Sequence, residues 1–304
     1  MNDGIRKETP VEAARGPFPW QRGWSIFKAI WPQLIYISVA AIAIPQYLVY
    51  WITAQRAAHA VQDWSTNPPL GFFNLLQKVE TFSLFSVSLI IAAGILAFWG
   101  YLSWVTAAFH HIDGQKVETL PVFKKSLRNL PRSLLTFFMF FLVLVLFGFL
   151  TAAGIGFGII SQLILITLCV MASAAPVLLV MDSAGSGRIL SASLRMEYTR
   201  GSGMSRWSAY FVLLTYEMLL LGSLSLVQAG VDALNHLDMK MSLPRAIWFV
   251  SNQNFPFGVV PMLTEALAIS LSALLFSLFA IMTTSFVADL RRIGQIRSKI
   301  EIKV

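Results

Sequence analysis

Two glutamates, Glu217 and Glu265, stand inside long apolar stretches of this chain, and they are the first residues that suggest chemistry. Burying an ionisable group in hydrocarbon costs several kcal/mol, so such a residue is a functional candidate by default. Glu217 lies eight residues into its stretch, roughly 12 Å deep at the helical rise of about 1.5 Å per residue. Two roles suit it: binding a proton or cation in a polar path between helices, or packing as a protonated carboxyl against Ser, Thr or Gln of another helix. Glu265 is one turn into its stretch, close enough to the surface to stay solvated. No Lys or Arg is buried with either, so the sequence encodes no internal ion pair.

Three clusters offer metal-ligating types: His110, His111 and Asp113; His59 and Asp63; and Asp232, His236 and Asp238. A zinc site needs three or four convergent groups. None of the clusters follows a recognised ligand spacing, and interfacial histidines and solvated aspartates account for them, so neither metal nor cofactor is expected. Gly154, Gly156 and Gly158 follow no strand and precede no Lys-Ser/Thr pair, which makes them a hairpin rather than a phosphate loop. No nucleophile elbow and no HExxH motif occurs. The chain is therefore expected not to be an enzyme.

The basic residues are better ordered. Lys124, Arg128 and Arg132 recur at i, i+4 and i+8 opposite an apolar face of Phe123, Leu127, Leu130 and Leu134. Arg188 and Arg195 share a face with Ser191 and Thr199, opposite Leu190, Leu194 and Tyr198. Trp20, Trp24, Phe27 and Trp31 form an aromatic stripe with Arg22 and Lys28 between them, as in a helix lying flat at the membrane surface before the first span. Anionic lipid attracts juxtamembrane Lys and Arg by about 1 kcal/mol each. Trp20, Trp24, Lys124, Arg128, Arg132, Arg188 and Arg195 are accordingly the expected headgroup contacts.

The elements that must position these residues are six apolar runs, at about 31–53, 84–107, 134–152, 157–180, 209–231 and 259–287. A bilayer core of about 30 Å takes roughly 20 apolar residues per helix. Lipid offers the backbone no hydrogen-bond partner, and the runs lack the alternation of a barrel strand, so each is expected to be a helix. With 56% hydrophobic and 12% charged residues in 304, little remains for a soluble domain. The fold expected is all-α and polytopic, with residues 1–19 a disordered tail, 20–290 a six-span domain and 291–304 a basic tail. Pro45 and Pro176 are placed to break the first and fourth spans, and glycines 185, 187, 201 and 203 read as flexible joints.

Alternate connecting segments carry 19 of the 23 Lys and Arg residues. Basic segments stay cytoplasmic during insertion, so both termini are expected inside. The same placement makes nucleic acid a poor partner for the net charge of +8. No short apolar core follows an early basic start, and the first run is expected to serve as the insertion signal. Cys169, the single cysteine, excludes an intrachain disulfide. Down the sixth run Ala266, Ser270, Ala273, Ser277 and Ala280 recur every three or four residues, followed by Thr284, a small-residue face suited to close helix packing. An amphipathic basic segment, an outward span and a return span occur in that order three times, which suggests a threefold helix-pair repeat.

The stretch Ala175-Pro176-Val177 through Met181-Asp182-Ser183, then Gly187-Arg188, Ala192-Ser193-Leu194, Arg200-Gly201 and Arg206-Trp207, resembles a span exit, linker and next span in a broad group of bacterial six-span proteins. That group includes the membrane domain of some glycerophosphodiester phosphodiesterases and YciC-like inner-membrane proteins. The resemblance implies the architecture and a bacterial inner membrane. It transfers no catalytic residue, because the phosphodiesterase activity of the fused relatives belongs to a separate soluble barrel absent from this chain. The functional expectation is a non-enzymatic protein organising lipids or partner proteins at the cytoplasmic leaflet. The alternatives are a small transporter or lipid permease using Glu217, and a membrane subunit of a larger complex.

Overall fold

The computed structural model describes residues 19–49, 52, 72–152, 158–239 and 259–301. The disordered tail, His59 and Asp63, and the glycine hairpin at 154 and 156 lie outside them, and the side chains of Asp232, His236, Asp238 and Glu265 are likewise outside. Within the described residues the chain is all-α, and its helices include α1 Pro19–Ser38, α2 Phe72–Ile112, α3 Thr119–Ala152, α4 Gly158–Ala172, α5 Ala175–Met181, α6 Ser186–Leu194, α7 Arg206–Met239 and α8 Val259–Glu301. Six helical stretches are long and apolar enough to cross a membrane: Trp20–Val49, Val87–Ile112, Thr119–Val145, Leu163–Met181, Arg206–Val227 and Ala266–Gln295. This is a multi-pass integral membrane protein.

Its side chains are distributed as lipid solvation demands. Phe137, Phe138, Phe141 and Leu142 of α3 are exposed, whereas Ser126, Ser133 and Thr136 of the same helix are buried. Hydrocarbon penalises an unpaired hydroxyl, and the helix interior supplies carbonyls to bond it. Thr136 Oγ1 thus donates to the Arg132 carbonyl at 2.9 Å and Thr284 Oγ1 to that of Ala280 at 2.6 Å. Ser103 and Ser126 instead meet across the α2–α3 contact, Oγ to Oγ at 2.7 Å.

Contacts divide the chain into two compact units, one of Met1–Gln33, Leu102–Leu220 and Leu278–Val304, the other of Leu34–Tyr101 and Leu221–Ser277. In the second unit the backbone widens into a π-helical stretch at Val39–Ala43, where the Ile44 N–H bonds the Val39 carbonyl. Pro45 follows directly. A proline lacks the N–H that the preceding turn requires and crowds its carbonyl, and a π turn absorbs both faults without ending the helix. Pro176 acts more sharply. The helix stops at Ala172, and a new one starts at Ala175 with the proline in its first turn, where the missing N–H costs nothing.

Other segments depart from the expected pattern. The aromatic stripe does not form a helix separate from the first span, because α1 runs unbroken from Pro19 to Ser38. Burial of Ile26, Ile30, Leu34 and Ile37 along one stripe holds it as a single rod. At the start of α3 the buried positions are Val122, Ser126 and Ser133, while Leu127 of the apolar face is exposed. The basic tail from Arg291 begins as helix, since α8 continues through Arg291 and Arg292 to Glu301.

Candidate functional site: an ion-paired basic layer and its cavity

The first unit contains a polar layer tied together by the last part of α8. Asp289, Arg291 and Arg292 each hold a different segment. Asp289 accepts from Arg22 of α1 at 2.8 Å. Arg291 Nη2 donates to Asp182, in the α5–α6 connection, at 2.7 Å. Arg292 pairs with Asp113 just beyond α2 and reaches the Ile112 carbonyl at 3.3 Å. Partial burial weakens water's competition for each pair, and shared placement on one helix lets three modest bonds act as a clasp.

Arg132 adds a fourth tie. Its guanidinium donates to the carbonyls of Asp182, at 3.0 Å, and Ala184, while Ser186 Oγ donates to the Arg132 carbonyl at 3.0 Å. These bonds anchor the start of α6 on α3. Ser193 Oγ donates to the Met171 carbonyl at 2.6 Å, an acceptor freed by the end of α4. Short α6 is thereby fastened at both ends.

Beyond α6 the chain does not continue as a helix to Tyr198. Met196 is left-handed, with φ of 52°, and opens a 3₁₀ turn over Glu197–Thr199. The Thr199 hydroxyl bonds the Met196 carbonyl at 2.9 Å, and Ser202 Oγ bonds that of Thr199 at 2.7 Å. Gly201 and Gly203 are left-handed too, with φ of 76° and 83°. Rather than flexible joints they are parts of a wound connection. A Cβ on Gly294 of α8 would collide with the Arg200 carbonyl oxygen, so this glycine lets helix and connection touch backbone to backbone.

Between α5, α6, this connection and α8 lies a cavity of ≈ 820 Å³. Arg188, Arg200 and Arg291 line it together with Asp182, Glu197 and Tyr198. Tyr198 is only 4% exposed, and its hydroxyl has no hydrogen-bond partner among the described residues. Burial holds the phenol above its ordinary pKa, so it remains a donor. Arg291 Nη1 is a second buried donor without a hydrogen-bond partner among the described residues.

The residues expected to meet headgroups separate into distinct roles. Trp20 and Trp24 are exposed, and Trp24 stacks on Phe27 at 5.5 Å with the Lys28 ammonium 5.4 Å from its ring. Lys124, Arg128 and Arg195 are exposed, and Arg188 is both exposed and on the cavity wall. Arg132 is turned inward by the carbonyls it binds. Glu217 is half-buried on α7 and has neither ion-pair nor hydrogen-bond partner among the described residues. Ala273, Ser277 and Ala280 are buried on α8, with Ala266 and Ser270 half-buried. Ser277 bonds its own helix at the Leu274 carbonyl, 2.7 Å away, rather than a neighbour.

Among the described residues no three His, Cys, Asp or Glu side chains converge on a metal position. His110 is engaged by Lys125 Nζ at 2.9 Å, and Asp113 by Arg292. Sequence reading missed Asp113, Asp182 and Asp289 as clasp partners and Tyr198 as a cavity residue. Each of those acids lies within a few residues of a basic segment, which was the available signal. No family model, curated protein or solved structure matches this chain.

Proposed function

We propose that this integral membrane protein organises anionic lipid, or a membrane-protein partner, at the cytoplasmic leaflet of a bacterial inner membrane, and does so without catalysing a reaction. The observation that carries the reading is the contrast within the first unit. Arg22, Arg132, Arg291 and Arg292 are engaged by protein groups. Lys124, Arg128, Arg188 and Arg195 remain exposed, and none has an ion-pair partner among the described residues. The clasped layer is a rigid base for cations left available to headgroups, and the exposed indoles of Trp20 and Trp24 suit the same depth. The bias of basic segments supports the cytoplasmic side and both termini within.

The test replaces Lys124 and Arg128 together with Gln and measures anionic lipid co-purifying with the protein by native mass spectrometry. At about 1 kcal/mol per cation, retention should fall at least tenfold. Undiminished retention would overturn the reading and leave these charges as topology signals alone.

A second reading is favoured by one residue. Glu217, half-buried and with neither ion-pair nor hydrogen-bond partner among the described residues, supports a small transporter or lipid permease with a carboxyl in its path. Here Glu217→Gln should abolish a transport phenotype at unchanged protein abundance. A fall in abundance would instead assign the carboxyl to packing.

A further inference from the structure

We propose that the cavity between α5, α6, the 196–203 connection and α8 is a binding site for a phosphate-bearing molecule, held by Arg188, Tyr198, Arg200 and Arg291. The proposal deepens the lipid-organising reading and rests on it, naming one site and the group it recognises.

Charge is the first argument. Three guanidinium groups and two carboxylates line the cavity, and Asp182 is already bound by Arg291. Arg188 and Arg200 have no ion-pair partner among the described residues, so the free charge of the wall is positive. An arginine free of an ion pair offers the planar, forked set of donors that phosphate oxygens complete.

Unmet hydrogen bonding is the second argument, and it is independent of charge. A buried hydroxyl left without a partner costs about as much as a lost hydrogen bond, and native proteins leave few of them. Tyr198 OH and Arg291 Nη1 are both buried, both unpartnered among the described residues, and both belong to residues of this wall. Each is a donor, so the missing group is an acceptor. A phosphate oxygen is an acceptor of that kind, and it is also the group that guanidinium donors bind best.

Size is the third. A volume of ≈ 820 Å³ exceeds what phosphate alone would fill, and lies within the range of about 300–1,000 Å³ typical of small-molecule sites. Leu178, Ile189 and Ala192 supply an apolar part of the wall. A phosphate monoester or diester with a short organic moiety fits that division. Glu197, which has no cation partner among the described residues, is placed to accept from an amino or hydroxyl group on it. Backbone shape supports the site as well. Met196 holds a left-handed conformation that a bulky side chain disfavours, and the turn it starts carries Tyr198 and Arg200 to the wall.

The phosphate can belong to a lipid headgroup or to a soluble molecule, and the test separates the two. Full-length protein freed of lipid is titrated with glycerol phosphate, and in a parallel arm with nanodiscs containing phosphatidic acid, with binding read by native mass spectrometry and phosphorus NMR. Wild-type protein should bind in at least one arm. Tyr198→Phe should weaken that binding about tenfold, and Arg188→Gln with Arg200→Gln should remove most of it. Binding in the lipid arm alone assigns a headgroup, binding in the soluble arm alone assigns a free phosphate ester, and either supports the site. No binding in both arms overturns it, as does binding indifferent to all three substitutions. Arg188 is exposed, so its variant also tests the site if Tyr198→Phe perturbs folding. The Lys124 and Arg128 variant serves as the comparator. If it loses bulk anionic lipid while Tyr198→Phe changes nothing, the cavity fails and the wider reading stands; the reverse result separates them the other way.

Discussion

Arg132 lies on one helical ridge with Lys124 and Arg128, yet only Arg132 is turned into the protein, where it holds the carbonyls of Asp182 and Ala184. Those two acceptors belong to a connection between helices and have no ladder to satisfy them. Arg132→Gln should therefore cost about 2 to 3 kcal/mol by removing charge-assisted bonds and stranding the acceptors, whereas Arg128→Gln should cost under about 0.5 kcal/mol. Thermal unfolding of the two purified variants in one detergent checks the difference, and equal midpoints would show that the inward guanidinium stabilises nothing. Asp182 makes the same point from the acid side. Its carboxylate meets Arg291 and its carbonyl meets Arg132, so one residue joins α3 and α8 through different atoms.

α8 supports most of the first unit at the level of whole elements. A single helical turn supplies Asp289, Arg291 and Arg292, which reach α1, the α5–α6 connection and the end of α2. One turn later, Gly294 abuts the Arg200 carbonyl and Gly201. At the α1 crossing, a Cβ on Gly23 would sit 2.8 Å from Met282 Cγ. Glycines at both crossings are thus required by backbone approach rather than by turn geometry. Gly294→Val should destabilise the protein by about 1 to 3 kcal/mol through overpacking against a backbone atom that cannot yield. Gly222→Ala in α7, where no described atom beyond its chain neighbours and its own helix backbone lies within 4 Å of the added methyl, should be neutral or mildly stabilising. Midpoints measured side by side decide it, and a neutral Gly294→Val would sink the close-crossing argument. Broken helices have equally local causes: Pro176 restarts a helix, while Pro45 is accommodated by a π turn.

Across the molecule, six apolar helical stretches coexist with a polar layer in which some cations are clasped and others remain open. Salt should separate the two populations, because exposed charges are screened over about 8 to 10 Å at physiological ionic strength and partly buried pairs much less. Lipid retention that depends on Lys124 and Arg128 should fall as salt rises, while the unfolding midpoint set by the clasp should hardly move; retention indifferent to salt would count against the headgroup assignment. Much of this architecture was legible in the residues alone, since apolar length and helical necessity in lipid depend on composition over about 20 residues. Helix-breaking at Pro176 was legible for the same reason, as it depends on a missing N–H and not on distant neighbours. The fate of individual charges was not. Lys124, Arg128 and Arg132 are equivalent in spacing, and only the approach of the α5–α6 connection distinguishes the third. Tyr198 reads as the next residue of an apolar face until the left-handed Met196 turns it to the cavity wall. Sequence by itself determined an all-α membrane protein with biased charge, because lipid acts on every stretch locally. Tertiary structure alone decided which cations are engaged, which donors are left wanting and where a cavity remains, because those depend on residues as far apart as Asp182 and Arg291 meeting at 2.7 Å.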